Sequence, residues 1–442
     1  MSNEKTKSSA STSRKFAKSV IEIWLGGGPS QLETFDPKPD APHDYNNGLK
    51  TIKTNTGIEL HEWMTELAKC SELYSIIRSM THPYFGHETA AYLMQTGRNP
   101  GGGVTFPALG ALISSSRVKG KGPKKNYVQS SGLVYEGDLP PFVILTQGKG
   151  RFSEVGFLGE EYAPLVTGGS ASAKVFEVDG IVPPGGMYPG GLRPKQLKEK
   201  IRERFSRCGF LDHLPPDAEF EAAGAAAREI ILGKAAETFD LSTEKEALRK
   251  KYGTTQGGGY TEIGQRLLAA RKLVQYGVPY VSINHGMWDS HKRHFETMKR
   301  PTQDLDQAIA ALLQDLRDTK DDNGQSLLDT TIVWVSGEFG RVPKVDRQPP
   351  WNGGRNHFPR CFSALVAGGG FKGGCVVGES DATTDHVKER PVTPQDFLGS
   401  IMELSGVDPD DVLPNPKWLK EYGPVMNPKT KSQCGRLKEI YA

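Results

Sequence analysis

The sequence predicts an α/β fold: a doubly wound, mostly parallel sheet with helices on both faces. Two observations carry this prediction. Short, continuous apolar runs, of the kind seen in strands buried on both faces, alternate with longer segments whose apolar residues recur every 3.6 positions. Several of the runs also stop at loops rich in Gly, His and acidic residues, as open α/β sheets do where they display ligands beyond the carboxyl ends of their strands. The 442 residues, 36% hydrophobic and 24% charged, suffice for one large globular domain with insertions.

The first run, Ser19–Trp24, leads into Leu25-Gly-Gly-Gly-Pro-Ser30 and reads as a central strand with a tight turn. Residues 73–77 form a second strand, and 87–98 a loop entering a helix that Gly97 stops. A short helix at 107–114 and a strand at 141–145 follow. Between 148 and 200 Gly and Pro dominate, which predicts a loop-rich insertion covering one end of the sheet. The segment 218–277 is helical in its spacing, as two stretches, 218–252 and 260–276. Strands at 278–283, 331–336 and 362–366 then alternate with helices at 302–319 and 393–404. The domain reading is a basic, flexible tail over 1–18 and a single domain over 19–442.

Lys and Arg number 55 against 52 Asp and Glu, a net charge of +3 that is too balanced for a nucleic-acid-binding or membrane-binding surface. No apolar run approaches the roughly 18 residues that a membrane span requires. Cys70, Cys208, Cys361, Cys375 and Cys434 form no CxxC pair and are odd in number, so structural disulfides are not expected. The amino end has no apolar stretch after its basic residues, which places the chain as written in the cytoplasm.

Three polar loops follow predicted strands. After 278–283 comes Asn284-His-Gly-Met-Trp-Asp-Ser-His-Lys-Arg-His294, the densest cluster of ligand-type residues in the chain. Within it, Asp289 and His291 offer an oxygen and a nitrogen to one divalent cation, or alternatively hold a solvated turn. After 331–336 come Glu338 and Arg341, then His357 in Gly-Arg-Asn-His-Phe-Pro. The third loop, 82–89, ends at a helix amino terminus carrying His87 and Thr89. Its free N–H groups suit an anionic ester, and an ordinary helix cap reads equally well.

The segments 24–38, 87–98, 288–291, 338–343 and 354–359, the last leading into Gly368-Gly-Gly370, resemble the DUF1501 family in the expected order. That family is placed in the alkaline phosphatase-like superfamily with sulfatases and phosphonate monoester hydrolases. The resemblance implies an alkaline phosphatase-like sheet and a divalent metal, Zn, Mn, Ca or Mg, at its strand ends. It further implies hydrolysis of a sulfate or phosphate ester of a small molecule or glycan. Relatives look exported through a twin-arginine leader, so the resemblance adds the periplasm as an alternative location.

Carried over by position, His87 falls in the superfamily's nucleophile slot. It suits the role of ligand or base better, with Thr89 as the candidate hydroxyl nucleophile. Arg98 and Arg341 are candidates for stabilising transition-state charge. Asp289, His291, Glu338 and His357 are the candidate metal ligands. The chain departs from the superfamily at Gly26–Gly28, where no carboxylate stands and Glu33 or Asp36 would have to substitute, and at Phe339, which replaces an expected imidazole. These departures keep open a non-catalytic alternative, in which the cleft binds an anionic ligand or a protein partner.

Overall fold

The computed structural model describes residues 16–99, 101, 103–118, 132–146, 154–159, 162–168, 171, 237–409 and 436–442. Its strands relevant here are, in chain order, β1 (Ser19–Trp24), β2 (Tyr74–Met80), β3 (Phe142–Leu145), β4 (Leu165–Val166), β5 (Tyr280–Asn284), β6 (Thr331–Ser336), β7 (Gly340–Arg341), β8 (His357–Phe358), β9 (Phe362–Ala367) and β10 (Val376–Val377). Eight of them form one sheet in the order β10-β2-β9-β6-β1-β5-β3-β4. All neighbours in it are parallel except where β9 runs against β2 and β6. β7 and β8 make a separate antiparallel ribbon.

Alternation along each strand assigns its side chains to two layers. Ile21, Ile23, Val281, Ile283, Val333 and Val335 pack with α3 (Glu262–Tyr276) and α4 (His294–Asp318). Val20, Trp24, Tyr280, Ile332 and Trp334 face the opposite way. They pack with α1 (His87–Thr96), α2 (Leu109–Ser115) and α5 (Pro394–Leu404). Helices thus cover both faces, as the sequence predicts. On α4, Leu305, Leu312, Leu313 and Leu316 are completely buried. Each contributes roughly 2 kcal/mol of transfer free energy, so docking outweighs intrinsic propensity in holding this helix.

Two elements differ from expectation. α4 starts at His294 rather than at 302, with Pro301 inside it. Proline removes one backbone bond, and the extra turns persist because His294 is anchored, its N–H donating to Gly353 O at 3.2 Å. The predicted helix over 218–252 is broken in its described part. The Asp240 carboxylate accepts from Ser242 N, opening a 3₁₀ turn (Leu241–Thr243) that precedes a short helix (Glu246–Lys251). The tail through residue 15, residues 218–236 and most of the 148–200 insertion lie outside the described residues. Among the described residues no helix is long and apolar enough to cross a membrane.

Candidate metal centre

The sheet polarity brings the predicted ligands to one edge. Asp289 follows β5, Glu338 follows β6, and His87 follows β2, all beyond the carboxyl ends of parallel strands. His357 precedes β9, the antiparallel strand, whose beginning lies at that same edge beside Met80, the end of β2. The β7–β8 ribbon pairs His357 with Arg341 and Phe358 with Gly340, which fastens the His357 loop to the one carrying Glu338. Here a two-residue ladder does what sequence distance conceals.

Three imidazoles converge on the Asp289 carboxylate. His291 Nε2 lies 2.9 Å and His357 Nε2 3.2 Å from Asp289 Oδ1, and His87 Nε2 lies 3.4 Å from Oδ2. The two nitrogens Nε2 of His291 and His357 stand 3.1 Å apart. His87, Asp289 and His357 each turn one ligand atom to a common point, with these atoms within 4.8 Å of one another.

The opposite nitrogens decide what faces this point. His357 Nδ1 is 2.8 Å from Phe85 O, and a carbonyl only accepts, so Nδ1 carries the hydrogen. By the same reasoning His87 Nδ1 donates to Glu338 Oε1 at 2.6 Å and His291 Nδ1 to Asn356 Oδ1 at 2.9 Å. In the neutral rings each Nε2 then presents a lone pair toward a carboxylate and toward the other rings. Lone pairs so gathered repel until a proton or a cation stands among them. Imidazoles pinned through Nδ1–H to oxygen, with Nε2 free, are the usual arrangement around a transition metal. Glu338 adds a further sign: the residue is 3% exposed, and among the described residues its Oε2 has no hydrogen-bond partner. The donor set therefore fits a divalent cation.

Electrostatics around the cluster are uneven. The hydrogen bond to Glu338, outweighing partial burial, raises the pKa of His87. Burial, with Arg341 nearby, lowers that of His291. For Asp289 desolvation is opposed by the close approach of the His357 ring and by the hydrogen bond and charge of Arg341, which hold the carboxyl well below its usual range. Arg341 is completely buried, donating from Nη1 to Asp289 Oδ1 (2.7 Å) and Gly27 O (2.9 Å), and from Nη2 to Arg355 O (2.5 Å). Phe339, also fully buried, stacks on His357 with centroids 4.5 Å apart and lies 5.1 Å from the His87 ring. In place of the imidazole expected there, this position supplies a wall that orients two others.

Of the sequence candidates, Asp289, His291, His357, Glu338, His87 and Arg341 come together, with a division of labour among them. Glu338 holds His87 and accepts from Gly27 N at 2.9 Å, while Arg341 braces Asp289. Thr89 Oγ1 donates to Gly86 O at 3.1 Å, a local bond at the start of α1. Arg98 lies just past the other end of α1, about 16 Å along the axis from His87 by the rise of a helix. Its guanidinium sits over the Phe106 ring at 5.0 Å.

Glu33 and Asp36 do not replace the missing carboxylate either. Glu33 is paired with His294 and Arg355, and Asp36 with Lys38 and Arg78. At Gly27 and Gly28 the gap has a steric cause. A Cβ on Gly27, at φ +111°, would lie 2.4 Å from Asp289 N, and one on Gly28 would strike Phe339. Sequence reasoning missed the backbone partners, Gly27 N and Phe85 O, which leave no trace in side-chain type. Asn356 was visible beside His357 but carried no signal of its own.

Fold and site define an α/β protein with a candidate His/Asp metal centre at the carboxyl edge of a mostly parallel sheet. Residues 17–418 match the family described as protein of unknown function (DUF1501), and the chain belongs to that family. No curated protein matches its sequence. Among solved structures, the chain is similar to Ps i-CgsB in complex with k-i-k-neocarrahexaose, with 12% identity, TM-score 0.37 and coverage of 89% of this chain and 73% of that one. It is also similar to the lipoteichoic acid synthase LtaP from Listeria monocytogenes, with 9% identity, TM-score 0.37 and coverage of 90% and 74%. Alkaline phosphatase from the Antarctic bacterium TAB5 matches with 10% identity, TM-score 0.32 and coverage of 89% and 100%.

Proposed function

We propose that this protein is a metal-dependent hydrolase of sulfate or phosphate esters, with glycan esters among its substrates. One observation carries the reading: three imidazoles, each pinned through Nδ1, turn Nε2 toward the single carboxylate of Asp289. His87, Asp289, His291 and His357 would hold the cation. Three nitrogens and one oxygen favour Zn or Mn over Ca or Mg, which prefer all-oxygen shells. When bound, such a cation supplies Lewis acidity to an ester oxygen and to water.

The chain's own residues divide the remaining work. Glu338 keeps His87 in the tautomer that presents Nε2. Arg341 fixes Asp289 and places a positive charge behind it. Thr89 Oγ1 is engaged with Gly86 O at 3.1 Å, which favours water as the attacking group.

Metal analysis of purified protein, followed by turnover of aryl sulfate and aryl phosphate esters before and after chelation, tests this reading. The expected result is about one Zn or Mn per chain and turnover that chelator abolishes and metal restores. Protein that takes up no metal when supplied with it refutes the proposal. Metal uptake without turnover of either ester would favour the anion-binding alternative.

A further inference from the structure

Immediately behind the metal loop lies a buried chain of polar groups. Ser290 Oγ is 2.5 Å from His294 Nδ1, His294 Nε2 is 2.9 Å from Glu33 Oε2, and Glu33 Oε1 accepts from Arg355 Nη2 at 2.7 Å. Relative exposure is 7% for Ser290, 1% for His294, 2% for Glu33 and 1% for Arg355. The order hydroxyl, imidazole, carboxylate is that of a nucleophilic triad. Here, however, the hydroxyl is enclosed, and it is the residues on either side of it, Asp289 and His291, that reach the centre.

We propose that Ser290, His294 and Glu33 are a positioning relay for the metal loop, fixing the backbone from which Asp289 and His291 reach the cation. This rests on the metal reading above. A purely space-filling role would be served as well by apolar residues, because burying a charged pair costs several kcal/mol in desolvation that its attraction at best offsets.

What the polar version adds is direction. The Ser290 hydroxyl donates to His294 Nδ1, which leaves His294 Nε2–H to donate to Glu33 and gives each group one defined rotamer. Arg355 closes the frame: its N–H donates to Ser290 O at 3.2 Å, and its carbonyl accepts from Arg341, whose other nitrogen holds Asp289. The loop is thereby tied from its hydroxyl, its backbone and its carboxylate. Partners of this outer kind are typically worth about 10–100-fold in metal affinity.

The test is zinc titration of the full-length protein against a chromophoric chelator, with thermal unfolding of the metal-free form and the visible spectrum of the Co(II)-substituted form. Ser290→Ala, which removes a single oxygen, is expected to stay folded and to bind one zinc about 10–100-fold more weakly, with a changed Co(II) ligand-field band. Ser290→Thr should restore both affinity and band. His294→Gln should weaken zinc binding at least as much. Should it fail to fold, Ser290→Ala alone decides. Wild-type zinc affinity and an unchanged Co(II) spectrum in Ser290→Ala would overturn the relay, even if metal-free stability fell. Failure of the wild type to bind zinc would instead remove the metal reading, and the relay with it.

Discussion

Replacing His357 by alanine removes one of the converging nitrogens and little else. The side chain is about one-fifth exposed, and apart from the cluster its imidazole, among the described residues, bonds to Phe85 O and stacks on Phe339. At a free zinc concentration 100-fold above Kd, the wild type should gain about 2.7 kcal/mol over its metal-free form. With an unfolding entropy of about 2.1 cal/mol/K per residue, 442 residues give about 0.9 kcal/mol/K, so zinc should raise Tm by about 3 °C. If loss of a direct ligand weakens binding by about 100-fold, the same zinc concentration only equals the variant's Kd. The gain then drops to about 0.4 kcal/mol, under about 1 °C. Differential scanning calorimetry with and without zinc reads both shifts. Equal zinc-induced shifts in wild type and variant, both near 3 °C, would refute His357 as a ligand.

Glu22 lies in the core on β1, accepting from Gln95 and Tyr280, and burial pushes its carboxyl up to about 7 despite those bonds. A carboxyl whose folded pKa lies above its unfolded value of 4.5 binds its proton more tightly when folded, so its contribution is present in acid and lost as pH rises from about 4.5 to 7. The loss amounts to about 3 kcal/mol at pH 8. Urea titrations of Glu22→Gln should show a flatter pH profile and greater stability at pH 8 than wild type. Glu338→Gln should lower ester turnover by about two decades or more, whereas Thr89→Ala should leave it within about twofold. A large loss in the threonine variant would return that hydroxyl to the mechanism. Gly27→Ala forces a Cβ against Asp289 N at a left-handed φ and should cost about 3 kcal/mol in urea unfolding. A cost below about 0.5 kcal/mol would show that the two loops are free to separate.

The sheet was legible because its strands are buried on both faces, which leaves unbroken apolar runs such as Thr331–Ser336 and Phe362–Ala367. The antiparallel direction of β9 was not, since apolar content carries no polarity. The strands β4 and β10 and the β7–β8 ribbon are two residues long, too short for any periodicity to register. In the candidate site, the ligand-type residues were legible because His and Asp stand out in Gly-rich loops after strands. What could not be read is which of them face the centre and which support it. Glu338 stood out as a ligand type, and only the fold shows that Gly27 N and His87 Nδ1 engage its Oε1. The early loop offered Glu33 as a substitute carboxylate, but only the fold shows it engaged with Arg355 and His294.

The bond from Arg341 to Asp289 gives the centre a resident counterion. In many structural zinc sites the ligands have nothing to balance their charge once the metal leaves, and the domain unfolds. Here the carboxylate on which the three imidazoles converge has a guanidinium at 2.7 Å. If the centre takes the proposed cation, the chain is therefore expected to stay folded when a chelator removes it, which an unchanged far-UV circular dichroism spectrum after chelation would check.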